Sequence, residues 1–187
     1  MILSTSRVSA ALLAAALLIA SPAVADQRDE KLPTLFSKLA SSTDLSVANK
    51  LASDIWSVWL HHDDAEVARF MTIGISAMNQ RNLEVAYNAF DHVVGMAPDF
   101  AEGWNKRATV NFMLDRVDAS MRDIERTLAL EPRHFGALSG MGLIFDTIGN
   151  PGAAADAWEK ALGVHPHIQG ARKRIKDLRR QQRGRPI

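Results

Sequence analysis

The side chains best suited to chemistry sit in two short runs, His61-His62-Asp63-Asp64 and His165-Pro166-His167. Imidazole and carboxylate groups can hold a metal or move protons, but ligands to one ion must converge. On a helix, convergence takes a spacing of three or four; consecutive residues diverge, so both runs read as polar turns. A histidine near a helix C-terminus is also favoured by the helix dipole. His92 and His134 stand alone and read as surface or linker residues. The chain has no cysteine, no G-x-S-x-G nucleophile turn, no phosphate loop and no dinucleotide fingerprint. Gly140-Met141-Gly142 falls inside a helical pattern, where glycine permits close packing. No catalytic residue, metal or cofactor is expected.

Whatever site exists must be positioned by a repeat of 34 residues. In the stretch from Ala101 to His134, positions 4, 8, 20, 24, 27 and 32 are Trp104, Ala108, Ser120, Ile124, Thr127 and Pro132. One period earlier stand Phe70, Gly74, Ala86, Phe90, Val93 and Pro98; one period later stand Leu138, Gly142, Ala154, Trp158, Ala161 and Pro166. Small residues at 8 and 20 let two antiparallel helices approach, and large residues at 4 and 24 fill the space beside that contact. The proline stops the second helix, because it lacks an N–H and disfavours helical geometry before it. This pattern resembles the tetratricopeptide repeat (TPR) family. The resemblance implies an all-α, TPR-type α-solenoid of stacked helix hairpins, and protein or peptide binding as the class of function.

Taken in order, residues 1–25 read as a signal peptide: a lone Arg7, an apolar run from Val8 to Ala20, and the small-residue site Ala23-Val24-Ala25. That run of 13 residues is short of the roughly 20 needed to span a bilayer. The expected address is therefore the periplasm, after cleavage near Ala25. A composition 47% hydrophobic and 23% charged suits a soluble single core in what remains. Residues 26–66 are expected to form a degenerate N-terminal repeat, with Phe36, Ala40, Ala52 and Trp56 in seats 4, 8, 20 and 24 and an early turn at Ser41-Ser42-Thr43-Asp44. Three full repeats follow at 67–100, 101–134 and 135–168. Their inner turns fall at Gln80-Arg81-Asn82, Asp115-Arg116 and Gly149-Asn150-Pro151-Gly152. Residues 169–187 should form a basic capping helix and tail, docked through Ile168, Ala171, Ile175 and Leu178.

In the family that the chain resembles, the first helix of each hairpin lines the concave ligand face. Carried onto this sequence, the resemblance implies partner contact through Met71, Met78, Asn79, Asn105, Thr109, Phe112 and Met113. The basic residues with which such grooves grip a terminal carboxylate are largely missing here, and Lys106 stands one step off the face. A mixed apolar and polar groove is expected instead, with methionines supplying adaptable contact. The C-terminal stretch has its own charge character: from Gly170 to Ile187 eight basic residues face Asp177 alone, a net of +7 in a chain whose total is +1. Between Arg172 and Arg185 that charge suits a solvated cap, an anionic membrane or an acidic protein face. Nucleic acid is not an expected partner of an exported protein.

Overall fold

The computed structural model describes residues 29–184. The expected signal peptide and the chain beyond Gly184, Arg185 included, lie outside the described residues. Within them the chain is entirely helical: α1 Leu32–Ser41, α2 Leu45–Leu60, α3 Ala65–Asn79, α4 Leu83–Met96, α5 Ala101–Met113, α6 Val117–Leu130, α7 Phe135–Thr147, α8 Pro151–Val164 and α9 Ala171–Arg183. The pairs α3–α4, α5–α6 and α7–α8 are the three repeats, stacked in chain order into one solenoid.

The 34-residue register is visible atom by atom. Gly74 faces the Phe90 ring, and an added Cβ there would lie 2.5 Å from it; Gly142 faces Trp158 in the same way, at 2.7 Å. The middle repeat has the larger Ala108 in that seat and the smaller Ile124 opposite, so the pair conserves volume. The three inner turns share one backbone geometry, with positive φ at Arg81 (59°), Asp115 (58°) and Gly149 (75°). Each is closed by the same long bond, Asn82 N–H to Ala77 O, Arg116 N–H to Asn111 O and Asn150 N–H to Phe145 O. Gly74→Ala is expected to cost about 1–3 kcal/mol, because Phe90 is fully buried and has nowhere to move. Adding Phe90→Ile, which copies the Ala108–Ile124 pair, should recover part of that loss in thermal unfolding.

The N-terminal pair departs from the repeat. Ala40, expected in a close-approach seat, is exposed, and the buried face of α1 is Leu32, Phe36 and Leu39. The early turn explains this. Asp44 accepts the Ser46 and Val47 amides and starts α2 at Leu45, so α1 has only 10 residues. A hairpin this unequal cannot present a repeat-shaped face, and it does not stack on α3 as a fourth copy. It lies instead across the outer turns that join successive repeats. Asp64, in the seat of a closing proline, caps α3 by accepting from Glu66 and Val67.

At the other end α9 docks through Ile175 and Leu178 against Ala154, Ala155 and Trp158 of α8, with Ala171 buried at its start. Ile168, expected in the same stripe, packs in the cluster around the N-terminal hairpin instead. Among the described residues, no helix is long and apolar enough to cross a membrane.

Candidate functional site

The outer turns form a row along one edge of the solenoid, each closed by a bond from the last seat of its repeat: Phe100 N–H to Ala97 O, His134 N–H to Glu131 O and Ile168 N–H to His165 O. Aromatic side chains project from this row, and the hairpin α1–α2 covers them. His62 meets Phe100 edge to face at 4.9 Å. Trp59 stacks flat on His134, with centroids 4.0 Å apart, and packs on Phe135 at 5.1 Å. Phe135 meets His165 at 5.1 Å, and His167 donates from Nε2 to the Ser42 carbonyl at 2.7 Å. The histidine runs are thus seam residues. His61 pairs with Asp63 while His62 turns to Phe100 and accepts the Asp64 amide, so consecutive side chains do diverge.

Beneath the hairpin lies a buried polar network that the sequence reading missed. Glu102, 1% exposed, receives the Asn105 amide at 2.9 Å, the His134 imidazole at 2.9 Å and the Lys106 ammonium at 3.0 Å. His134 Nδ1 accepts the Ala137 amide and so caps α7, which leaves Nε2 as the nitrogen that donates to Glu102. Trp56 closes the top, with Lys106 5.2 Å from its ring centroid and Gly136 directly beneath it. Burial alone would raise the Glu102 carboxyl, but Lys106 and His134 outweigh it and hold it below its ordinary value. The Asn105 amide and the Lys106 ammonium are therefore engaged by an internal carboxylate.

The seam makes stability depend on pH in a defined direction. Burial, helped by His167, lowers the His165 pKa, consistent with its Nδ1 being buried without a hydrogen-bond partner. Both shifts are downward, so the unfolded chain takes up protons first and stability falls as pH falls. The His165 contribution is present above its ordinary 6.5 and lost below it; that of Glu102 is present above 4.5 and lost below it. Urea midpoints followed by tryptophan fluorescence from neutral to about pH 4 should drop over both windows. His165→Gln should remove the upper one alone.

On the concave face a cleft of about 80 Å³ opens between α5 and α7. Asn105, Thr109 and Phe112 line one side, Gly136, Gly140 and Leu143 the other, with Ala108, Ser120 and Ile124 beneath. Of the expected contact residues it gathers Asn105, Thr109 and Phe112. Asn105 is 6% exposed and already bonded to Glu102, so it serves as wall rather than free donor. Met113 is 40% exposed on the flank of α5. The first repeat contributes nothing to the cleft. Met71, 2% exposed, belongs to the core cluster with Phe90 and Val110, Met78 packs against that cluster, and Asn79 is exposed at the end of α3. The reason is that Val110 of the following repeat belongs to the same cluster, so the face expected to meet a ligand is closed by packing.

A second polar cluster locks the middle repeat. Arg107 makes paired bonds of 2.9 and 2.6 Å to Asp123 and a third of 2.6 Å to Asp91, and Asn111 donates to Asp123 at 3.0 Å. Among the described residues, no group of three or more His, Asp or Glu could hold a metal ion.

A TPR repeat-containing protein of Rhizobium etli is 36% identical over 149 residues, which take in 80% of this chain and 73% of that protein. Among solved structures, the first TPR of RPAP3 bound to an HSP90 peptide superposes with a TM-score of 0.62 at 16% identity, covering 65% of this chain and 97% of that one. The crystal structure of MamA gives 0.57 at 22% identity, covering 75% and 89%. No family model matches the sequence. The register of stacked hairpins and the Rhizobium relative lead to the same conclusion: the chain belongs to the TPR repeat-containing proteins.

Proposed function

We propose that this protein is a non-enzymatic interaction scaffold of the cell envelope, holding a protein or peptide partner at the cleft between α5 and α7. The observation that carries this reading is the character of that cleft. One of its walls is thinned by Gly136 and Gly140, its lining is uncharged, and Leu143 on that wall is 43% exposed, while Met113, 40% exposed, stands one turn beyond Thr109 on α5. It offers room for one aliphatic side chain, with adaptable apolar contact around the mouth. With Glu102 engaging Lys106 and Asn105, the preferred partner feature is an apolar side chain rather than a terminal carboxylate. The TPR domains of RPAP3 and of yeast Sti1, solved with HSP90 and Hsp70 peptides, support a peptide as the ligand class. The N-terminal segment supports export and a periplasmic address.

A photoreactive benzophenone amino acid placed at Leu143 or Met113 in the native host should give one shared adduct. The same probe at Lys160, exposed on α8, should not. Phe112→Asp should weaken the adduct about 30-fold while the fold is retained, as for loss of an interface anchor. Equal labelling from Lys160, or an adduct indifferent to Phe112→Asp, would contradict the reading.

A further inference from the structure

The helix α9 sorts its cations by face. Ile175 and Leu178 turn inward to α8, and Ala171 is buried at the start of the helix. Two arginines on the flanks are taken up by the repeats: Arg174 pairs with Asp146 of α7, and Arg179 bonds Asp156 at 2.6 Å and Glu159 at 3.0 Å on α8. The remaining five, Arg172, Lys173, Lys176, Arg180 and Arg183, are all exposed. Spacings of four, four and three align Arg172, Lys176, Arg180 and Arg183 on the outward face, with Lys173 beside them. Lys173 is paired with Asp177 at 2.7 Å, and Arg172 donates to the Pro166 carbonyl at 3.1 Å. Among the described residues Lys176, Arg180 and Arg183 form no ion pair.

We propose that this outward stripe is a docking surface for the phosphate headgroups of anionic lipids. Protein interfaces set their arginines around a dry centre of apolar or aromatic side chains, and α9 exposes no such centre, since its apolar residues are turned toward α8 or packed at its edge. Single-stranded nucleic acid is gripped by aromatic stacking, and α9 has no aromatic residue. What the stripe offers is a row of cations about 16 Å long, at about 1.5 Å per residue. A row that reads charge density without shape suits headgroups that rearrange laterally to meet it. The surface does not line the α5–α7 cleft, so it can act whether or not that cleft is filled.

Sedimentation with phosphatidylcholine vesicles, with and without phosphatidylglycerol, tests this on the full chain. Binding is expected only with phosphatidylglycerol and should fall steeply as salt rises. The triple variant Lys176→Gln, Arg180→Gln, Arg183→Gln should bind about a hundredfold more weakly, each cation contributing roughly a factor of five. The control triple Arg69→Gln, Arg81→Gln, Arg122→Gln removes the same charge from exposed positions elsewhere and should bind as the unaltered chain does. Unchanged circular dichroism melting of both triples establishes that the comparison is between folded proteins. The proposal is overturned by absence of binding to phosphatidylglycerol vesicles, by equal loss in the two triples, or by tighter binding to duplex DNA or polyglutamate than to vesicles of equal charge.

Discussion

Arg107→Met is expected to be the most damaging single substitution in the body of the solenoid, lowering stability by about 3–5 kcal/mol. The Asp123 side chain is 5% exposed, and Arg107 supplies both of its short charged contacts. Without the guanidinium, a carboxylate is left in the packed interface of α5 and α6 with only the Asn111 amide. The ordinary remedy, hydration, is closed to it. For a domain of this size each kcal/mol moves the melting temperature by about 2–4 °C, so a fall on the order of 10 °C is expected. The repeat supplies an internal control. Arg107 and Asp123 occupy seats 7 and 23, which in the third repeat are Met141 and Ala157 and in the first Ile73 and Ala89. Arg107→Met combined with Asp123→Ala therefore copies a pair the fold already uses. The double variant should recover most of the loss, apart from the unsatisfied Asn111 amide, as buried ion pairs replaced whole commonly do. A single variant within about 1 kcal/mol of the unaltered chain would mean that the network is not buried as described.

Trp59→Ala should have an effect of similar size but a different distribution. Trp59 is 1% exposed and lies at the centre of the seam, on His134, Phe135, Phe36 and Trp56. Truncating such a side chain costs about 3–5 kcal/mol. The hairpin α1–α2 is joined to the solenoid chiefly through that seam, so the loss should appear as local release of the hairpin. Amide exchange should become fast across 45–60 and stay slow through α4 and α6. The His134 ring and Glu102 would then be opened to water, uncovering the ends of α5 and α7. Uniform loss of protection along the chain would contradict a separately docked hairpin.

The three repeats were legible because their information is periodic. Glycine opposite an aromatic ring, alanine opposite isoleucine and proline after each second helix are local rules of volume and backbone, and they recur in phase. The polar networks were less legible, since they break that phase. His134 stands where the sister copies have Phe100 and Ile168, Arg107 where they have Ile73 and Met141, and Asp123 where they have alanine. A polar residue in a seat that is apolar one period away was the available signal, and it marks both clusters. The path of the hairpin was not legible by phase at all. Phe36 and Trp56 could be laid into the repeat register, yet the early cap at Asp44 shortened α1 and sent its apolar face to the turn row. Of the family's ligand positions carried onto this chain, Met71 is taken up by packing with Val110 of the next repeat, and Met78 packs against the same cluster.

The position of that hairpin decides how much of the concave face is free, and its course can be measured directly. The chain has no cysteine, so spin labels can be placed in pairs without background. His167 reaches the Ser42 carbonyl at 2.7 Å, which brings the α1–α2 turn to the turn after α8. Labels at Thr43 and Gln169, both exposed, should therefore show strong dipolar broadening, while labels at Thr43 and Arg81 should behave as isolated spins. In a hairpin stacked as a fourth repeat the turn at Thr43 would align with the inner turn at Arg81. Coupling between Thr43 and Arg81, with none between Thr43 and Gln169, would contradict the account.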